Sequence, residues 1–83
     1  MWHYDVGHLN GNDAVEVELD CQANVLLMDS VNFAQYRHGG RCPYYGGRAL
    51  RSPVRLAPPR AGRWHVVIDG VARVRARVST LRG

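Results

Sequence analysis

The sequence predicts an all-β fold, a small β-sandwich of jelly-roll-like or flattened-barrel form with roughly six to eight short antiparallel strands and at most one short helical turn. Three observations carry this expectation. Apolar residues recur mainly with a period of two, the pattern of strands with one buried face. The runs are separated by Gly, Pro, Asn and Asp, the residues that turns require. The glycine pairs Gly39-Gly40 and Gly46-Gly47 forbid a long helix in the one stretch that could begin one. A chain of 83 residues has room for one domain, residues 1–83, with a thin core.

Each element has its own reason. Trp2 to Leu9 reads as a first strand, hairpinned to the next through the turn cluster Asn10, Gly11, Asn12 and Asp13. Ala14 to Asp20 alternates cleanly, with Val15, Val17, Leu19 and then Cys21 on one side and Glu16, Glu18 and Asp20 on the other. Cys21 is thereby expected to be a small buried residue. Val25 to Met28 is apolar on both faces and belongs in the middle of a sheet. Ser30 offers a helix N-cap for a turn or two through Tyr36. Ser30 to Ser52 shows no sustained period, which suggests a functional loop or an irregular hairpin around Tyr44 and Tyr45. Pro53 opens an edge-type strand with Val54 and Leu56 inward. Arg63 to Asp69 is the most apolar strand, with Trp64, Val66 and Ile68 on one face, and Ala72, Val74, Ala76 and Val78 alternate with Arg73, Arg75 and Arg77. A two-residue hairpin at Asp69-Gly70 would set Val66 against Arg73 and Trp64 against Arg75, so a bulge, a longer turn through Val71 or a crossing to a second sheet is expected there. The core expected from these strands is Val15, Val17, Leu19, Val25, Leu27, Val54, Leu56, Trp64, Val66, Ile68, Val74 and Val78.

Charge divides the chain. Residues 1–36 hold Asp5, Asp13, Glu16, Glu18, Asp20 and Asp29 and no basic side chain, whereas residues 37–83 hold all eleven arginines and one acid, Asp69. If the halves pack together, acid faces arginine and the net charge of +4 says little about nucleic acid. The longest apolar run falls far short of the roughly 20 residues of a membrane helix. Met1 to Asp5 shows neither a basic n-region nor an apolar h-region, so the expected setting is cytoplasmic, without membrane association and with reduced thiols. A disulfide between Cys21 and Cys42 is allowed by count alone.

No motif nominates a reaction. His3, His8, His38, His65, Cys21 and Cys42 show no paired ligand spacing, so neither metal nor cofactor is expected. Cys42 sits beside Arg41 and His38 but has no paired base at recognisable spacing. Neither Ser30 nor Ser52 lies in a Gly-x-Ser-x-Gly context, and the expectation is a non-catalytic protein. Arg73, Arg75 and Arg77 would project from one strand face about 7 Å apart and could track phosphates. The preferred reading pairs them with Glu16, Glu18 and Asp20, which share their spacing, because no interleaved aromatic platform accompanies the row. The better candidate surface is the 29–48 loop, where Asp29, Asn32, Tyr36, Tyr44, Tyr45 and Arg48 combine stacking faces with polar groups. Since Tyr44 and Tyr45 are adjacent, an extended backbone would send their rings to opposite sides, one to plug the sandwich and one to solvent. The functional expectation is a binding or accessory module that contacts a protein or a small polar ligand through this loop, the alternative being nucleic-acid binding by the arginine-rich C-terminal half.

The strings HYDVGHL, ANVLLMDSVNFAQYRHG, YYGG, SPVRLAPP and GRWHVVID resemble a small bacterial domain family of unknown function, over nearly the whole chain. The resemblance implies an all-β, sandwich-like module that occurs alone or joined to a TIR domain, with no established catalytic residues. The chain departs from that pattern after Asp69, where only Gly70 stands in place of a longer glycine-rich turn. A fainter similarity, in a strand followed by Asp-x-x-Asn and a later Pro-x-x-Gly-x-Trp strand, is to pre-peptidase C-terminal and Golgi-dynamics sandwich modules, which implies an accessory or binding role.

Overall fold

In the computed structural model, which describes Met1–Gly83, the alternating stretches form seven strands and the segment after Asp29 forms one helix. In chain order these are β1 (Trp2–Leu9), β2 (Ala14–Leu19), β3 (Ala23–Asp29), α1 (Ser30–Arg37), β4 (Tyr45–Ala49), β5 (Val54–Leu56), β6 (Gly62–Asp69) and β7 (Ala76–Leu81). They build a four-stranded sheet in the order β1-β6-β3-β4 and a three-stranded sheet in the order β5-β2-β7, with every pairing antiparallel. Both sheets are open, so the fold is a sandwich and the flattened-barrel form is not adopted. No helix is long and apolar enough to cross a membrane.

The core between the sheets is the one that the period of two selects. Val15, Val17, Val25, Leu27, Trp64, Val66 and Ile68 are fully buried, while Leu19, Val54, Leu56, Val74 and Val78 pack half-buried around them. Leu9, Ala23 and Ala49 complete it. Leu9 is missed by strict alternation because β1 changes parity. Trp2, Tyr4 and Val6 pack against the core, then the register with β6 slips between Asp5 and Gly7, and Leu9 faces inward in its turn. Gly7 makes the slip with a φ of +72°, a bulge conformation that costs a residue with a Cβ.

Four expectations are corrected. First, β1 and β2 are not a hairpin, for β1 pairs only with β6 and β2 lies in the other sheet. The Asn10–Asp13 turn, closed by Asp13 N–H to the Asn10 carbonyl at 3.0 Å and by Asn10 N–H to the Asp13 carboxylate at 2.8 Å, carries the chain across the sandwich. The crossing places the apolar faces of the two strands on opposite walls of one core. Second, the helix cap is Asp29 and not Ser30, its carboxylate accepting the Asn32 N–H at 2.9 Å, while the helix itself, Ser30–Arg37, has the expected turn or two. Third, Cys21 is exposed because β2 ends at Leu19 and the chain bends. Its thiol donates to the Arg73 carbonyl at 3.4 Å, and both cysteines are free. Fourth, β7 begins only at Ala76, so Arg73 and Arg75 precede the strand and the three arginines form no row on one strand face. Of the three solutions open at Asp69-Gly70, the chain takes the crossing: β6 is in one sheet and β7 pairs with β2 in the other.

The outer face of the four-stranded sheet carries a second buried cluster. Leu26 and Met28 of β3 and Val67 of β6 are covered by Phe33 of α1, with Tyr36 and Cys42 at its margin. Strands β3 and β6 are therefore buried on both faces.

Two substitutions test this architecture by thermal melting. Trp64→Ala empties the centre of the core and is expected to cost roughly 3–5 kcal/mol, against little change for an exposed site. Gly7→Val is expected to cost about 1–2 kcal/mol, because a β-branched side chain is forced into the left-handed region. An unchanged melting temperature for either would remove the corresponding assignment.

Candidate functional site

The residues of the 29–48 segment separate into two groups at the two ends of α1. At the start of the helix, Asp29 is an N-cap and ion-pairs with Arg60. Half-buried Asn32 meets it through its backbone N–H. At the other end, the Tyr36 hydroxyl donates to Asp69 at 2.5 Å, which fixes the ring. Hydrogen bonding to Asp69 and then burial push the Tyr36 phenol up to about 12, while the same bond and the Gly70 N–H hold the Asp69 carboxyl below its usual range. Tyr36 and Tyr44 then face one cavity of about 310 Å³ with Gly40, Arg41 and Cys42.

Tyr44 and Tyr45 do go to different surroundings, but neither plugs the sandwich, being 50% and 43% exposed. Tyr45 meets the Trp64 ring edge-on at 6.1 Å between centroids, whereas Tyr44 is the free wall of the cavity. Exposed Arg48 lies opposite Asn24 on β4 and does not line that cavity. The structure thus brings together Tyr36 and Tyr44 of the six expected residues.

Five of the eleven arginines are ion-paired with acids. Arg63 pairs with Asp5, Arg60 with Asp29, Arg55 with Glu16, Arg77 with Glu18 and Arg82 with Asp13. Every one of these pairs joins the acidic half of the chain to the basic half. Arg75 meets Asp20 through its backbone N–H at 2.9 Å, and Arg75 and Arg77 line an open groove of about 410 Å³ together with Glu18 and Asp20.

A third constellation has no counterpart in the sequence reading. His65, buried on the outer face of β6, is hydrogen-bonded at both ring nitrogens: Nε2 lies 2.8 Å from the Ser30 hydroxyl and Nδ1 lies 2.8 Å from His3 Nε2. Phe33 stacks on both imidazoles, at 3.9 Å from His3 and 4.7 Å from His65 between centroids. Burial lowers the pKa of His65 and of His3, against the opposing pull of Asp5. The three polar residues are far apart along the chain and lie on β1, on β6 and at the β3–α1 junction, so no local spacing could have found them. Ser30 lines a cleft of about 220 Å³ with Asp29, Val31, Arg60, Gly62, Arg63 and Trp64.

Fold and site together define a small antiparallel β-sandwich with one covering helix and surface clefts at both ends of that helix. Residues 1–82 match the model of the family described as Domain of unknown function (DUF1883), and the chain belongs to that family. No curated protein and no solved structure matches it.

The histidine pair sets a pH dependence. Both folded-state pKa values lie below the usual 6.5, so at pH values between them and 6.5 the unfolded chain binds more protons than the folded one. The stability contributed by the neutral pair is therefore complete above about pH 6.5 and is lost as pH falls below it. Asp5 and Asp29 temper the loss, while Arg63 and Arg37 add to it. Melting temperature measured from pH 7.5 to 5 is expected to fall, and His3→Ala, which removes one imidazole, is expected to flatten that fall. An equal fall in both proteins would assign it to other groups.

Proposed function

We propose that this domain is a binding module whose contact surface is the cavity of Tyr36, Gly40, Arg41, Cys42 and Tyr44, and whose partner is a small polar ligand or protein segment bearing a carboxylate. One observation carries the reading: Tyr36 is locked by Asp69 while Tyr44 stands half exposed across a mostly open cavity. A pre-fixed aromatic wall opposite an available ring holds a ligand at low conformational entropy cost. Exposed Arg41 at the rim supplies a planar fork for a carboxylate. The cytoplasmic setting and association with a TIR or other domain belong to the same reading, and the two free thiols fit a reducing compartment.

An NMR screen of carboxylate-bearing fragments and short acidic peptides tests it. Shifts are expected at the amides of residues 36–45, with Tyr44→Ala weakening the best binder at least about tenfold without lowering the melting temperature. Binding indifferent to both Tyr44→Ala and Arg41→Ala would overturn the assignment. So would a mobility shift on DNA or RNA that weakens steeply with salt and is lost when Arg73, Arg75 and Arg77 become alanine, since counterion release marks phosphate contacts.

A further inference from the structure

We propose that Ser30 is a nucleophile, with His65 as its general base and His3 as the residue that positions His65, acting on small activated carboxylic esters. This goes beyond binding at the Tyr44 cavity and gives the opposite end of α1 an activity of its own.

The connectivity is that of a nucleophile, a base and an orienting group. Ser30 Oγ meets Nε2 of His65 at 2.8 Å, and the other nitrogen of the same ring meets His3 at 2.8 Å. With the Ser30 O–H donating to His65 Nε2, the His65 Nδ1–H donates to His3 Nε2, and both ring nitrogens of His65 are partnered. The rings are held in plane by Phe33, which stacks on both. At neutral pH the base is in its free form, because burial depresses its proton affinity.

Placement supports the role. Ser30 is the first residue of α1 and directly follows the central strand β3, the strand-to-helix junction from which a serine can present its hydroxyl. Its hydroxyl is not needed to cap the helix, since Asp29 does that. The Val31 N–H, in the first turn, has no intrahelical acceptor, and the positive end of the helix favours negative charge developing beside it. The cleft that Ser30 lines, about 220 Å³, is shared with Asp29, Arg60, Arg63 and Trp64; the Asp29 charge is taken up by Arg60, and the space suits a short acyl group.

The step balances without a cofactor. The Ser30 oxygen bonds to the ester carbonyl carbon while its proton passes to His65 Nε2. The tetrahedral adduct then expels the alkoxide or phenoxide, which takes that proton and leaves Ser30 acylated. Water attacks the acyl carbon, gives a proton to His65, and releases the carboxylic acid as the Ser30 oxygen is reprotonated.

The test is labelling of the full chain with a fluorophosphonate probe, read by intact mass and peptide mapping across pH 5–8, with p-nitrophenyl acetate hydrolysis in parallel. One adduct on Ser30 is expected, absent in Ser30→Ala, which keeps the Asp29 cap and the fold. His65→Gln is expected to slow labelling at least about 100-fold. His3→Ala, at an exposed position, is expected to slow it about tenfold and to move the midpoint of its pH profile, which a merely structural residue would not do. Should His65→Gln fail to fold, nitrogen-15 NMR of the unaltered protein decides, with His65 protonated on Nδ1 and bare on Nε2. The proposal is overturned by a folded protein that does not label, by labelling that survives Ser30→Ala, by a His3→Ala protein with unchanged rate and pH midpoint, or by the opposite His65 tautomer.

Discussion

Burial of β6 on both faces is the constraint from which the rest of the molecule follows. Trp64, Val66 and Ile68 point between the sheets, and Val67 with His65 points the other way, beneath α1. A thin domain gains apolar burial this way without a third sheet. The cost is that one polar ring of that strand must be satisfied where water is scarce. Ser30 and His3 supply the partners, and no buried side-chain nitrogen or oxygen is left unpaired.

The helix that covers β6 is short, and an isolated helix of this length is not stable in water. It is held by tertiary contacts at both ends and in the middle. Asp29 caps its first turn, Phe33 is inserted between His3, His65 and the second apolar cluster, and Tyr36 is tied to Asp69 at the far end of β6. The two candidate surfaces lie at the two ends of this one pinned element. The polar links that fix the helix also shape the Tyr36 wall of one cavity, and at the other end the capping Asp29 lines the cleft together with Ser30.

Electrostatics ties neighbouring strands together, for Asp5–Arg63, Glu16–Arg55 and Glu18–Arg77 each join adjacent strands of one sheet. The ion pairs all cross between the acidic and basic halves. Most are solvent-exposed, where screening and side-chain entropy leave little net stabilisation. Asp13 stands apart: it is 3% exposed and takes the N–H groups of Asn10 and Gly83 together with Arg82. It ties the β1–β2 crossing to the end of the chain, and those three donors hold its carboxyl below the usual range.

The sequence by itself determined what is written in period and punctuation: the all-β class, the inward rows of β2 and β6, the two-sided burial of Val25 to Met28, and the break at Asp69-Gly70. These are local properties, since alternation reports a face and a turn residue reports a backbone conformation. It also singled out Asp29, Asn32, Tyr36, Tyr44, Tyr45 and Arg48 as a group, of which tertiary structure sets only Tyr36 and Tyr44 on one cavity. Strand partners were decided by tertiary structure, for the same alternating run satisfies a hairpin or a crossing equally well until the opposing apolar face is known. The parity change at Gly7, the exposure of Cys21 and the replacement of Ser30 by Asp29 as cap all depend on such partners. So does the Ser30, His65 and His3 chain, whose members are brought within hydrogen-bonding reach only by the antiparallel order β1-β6-β3.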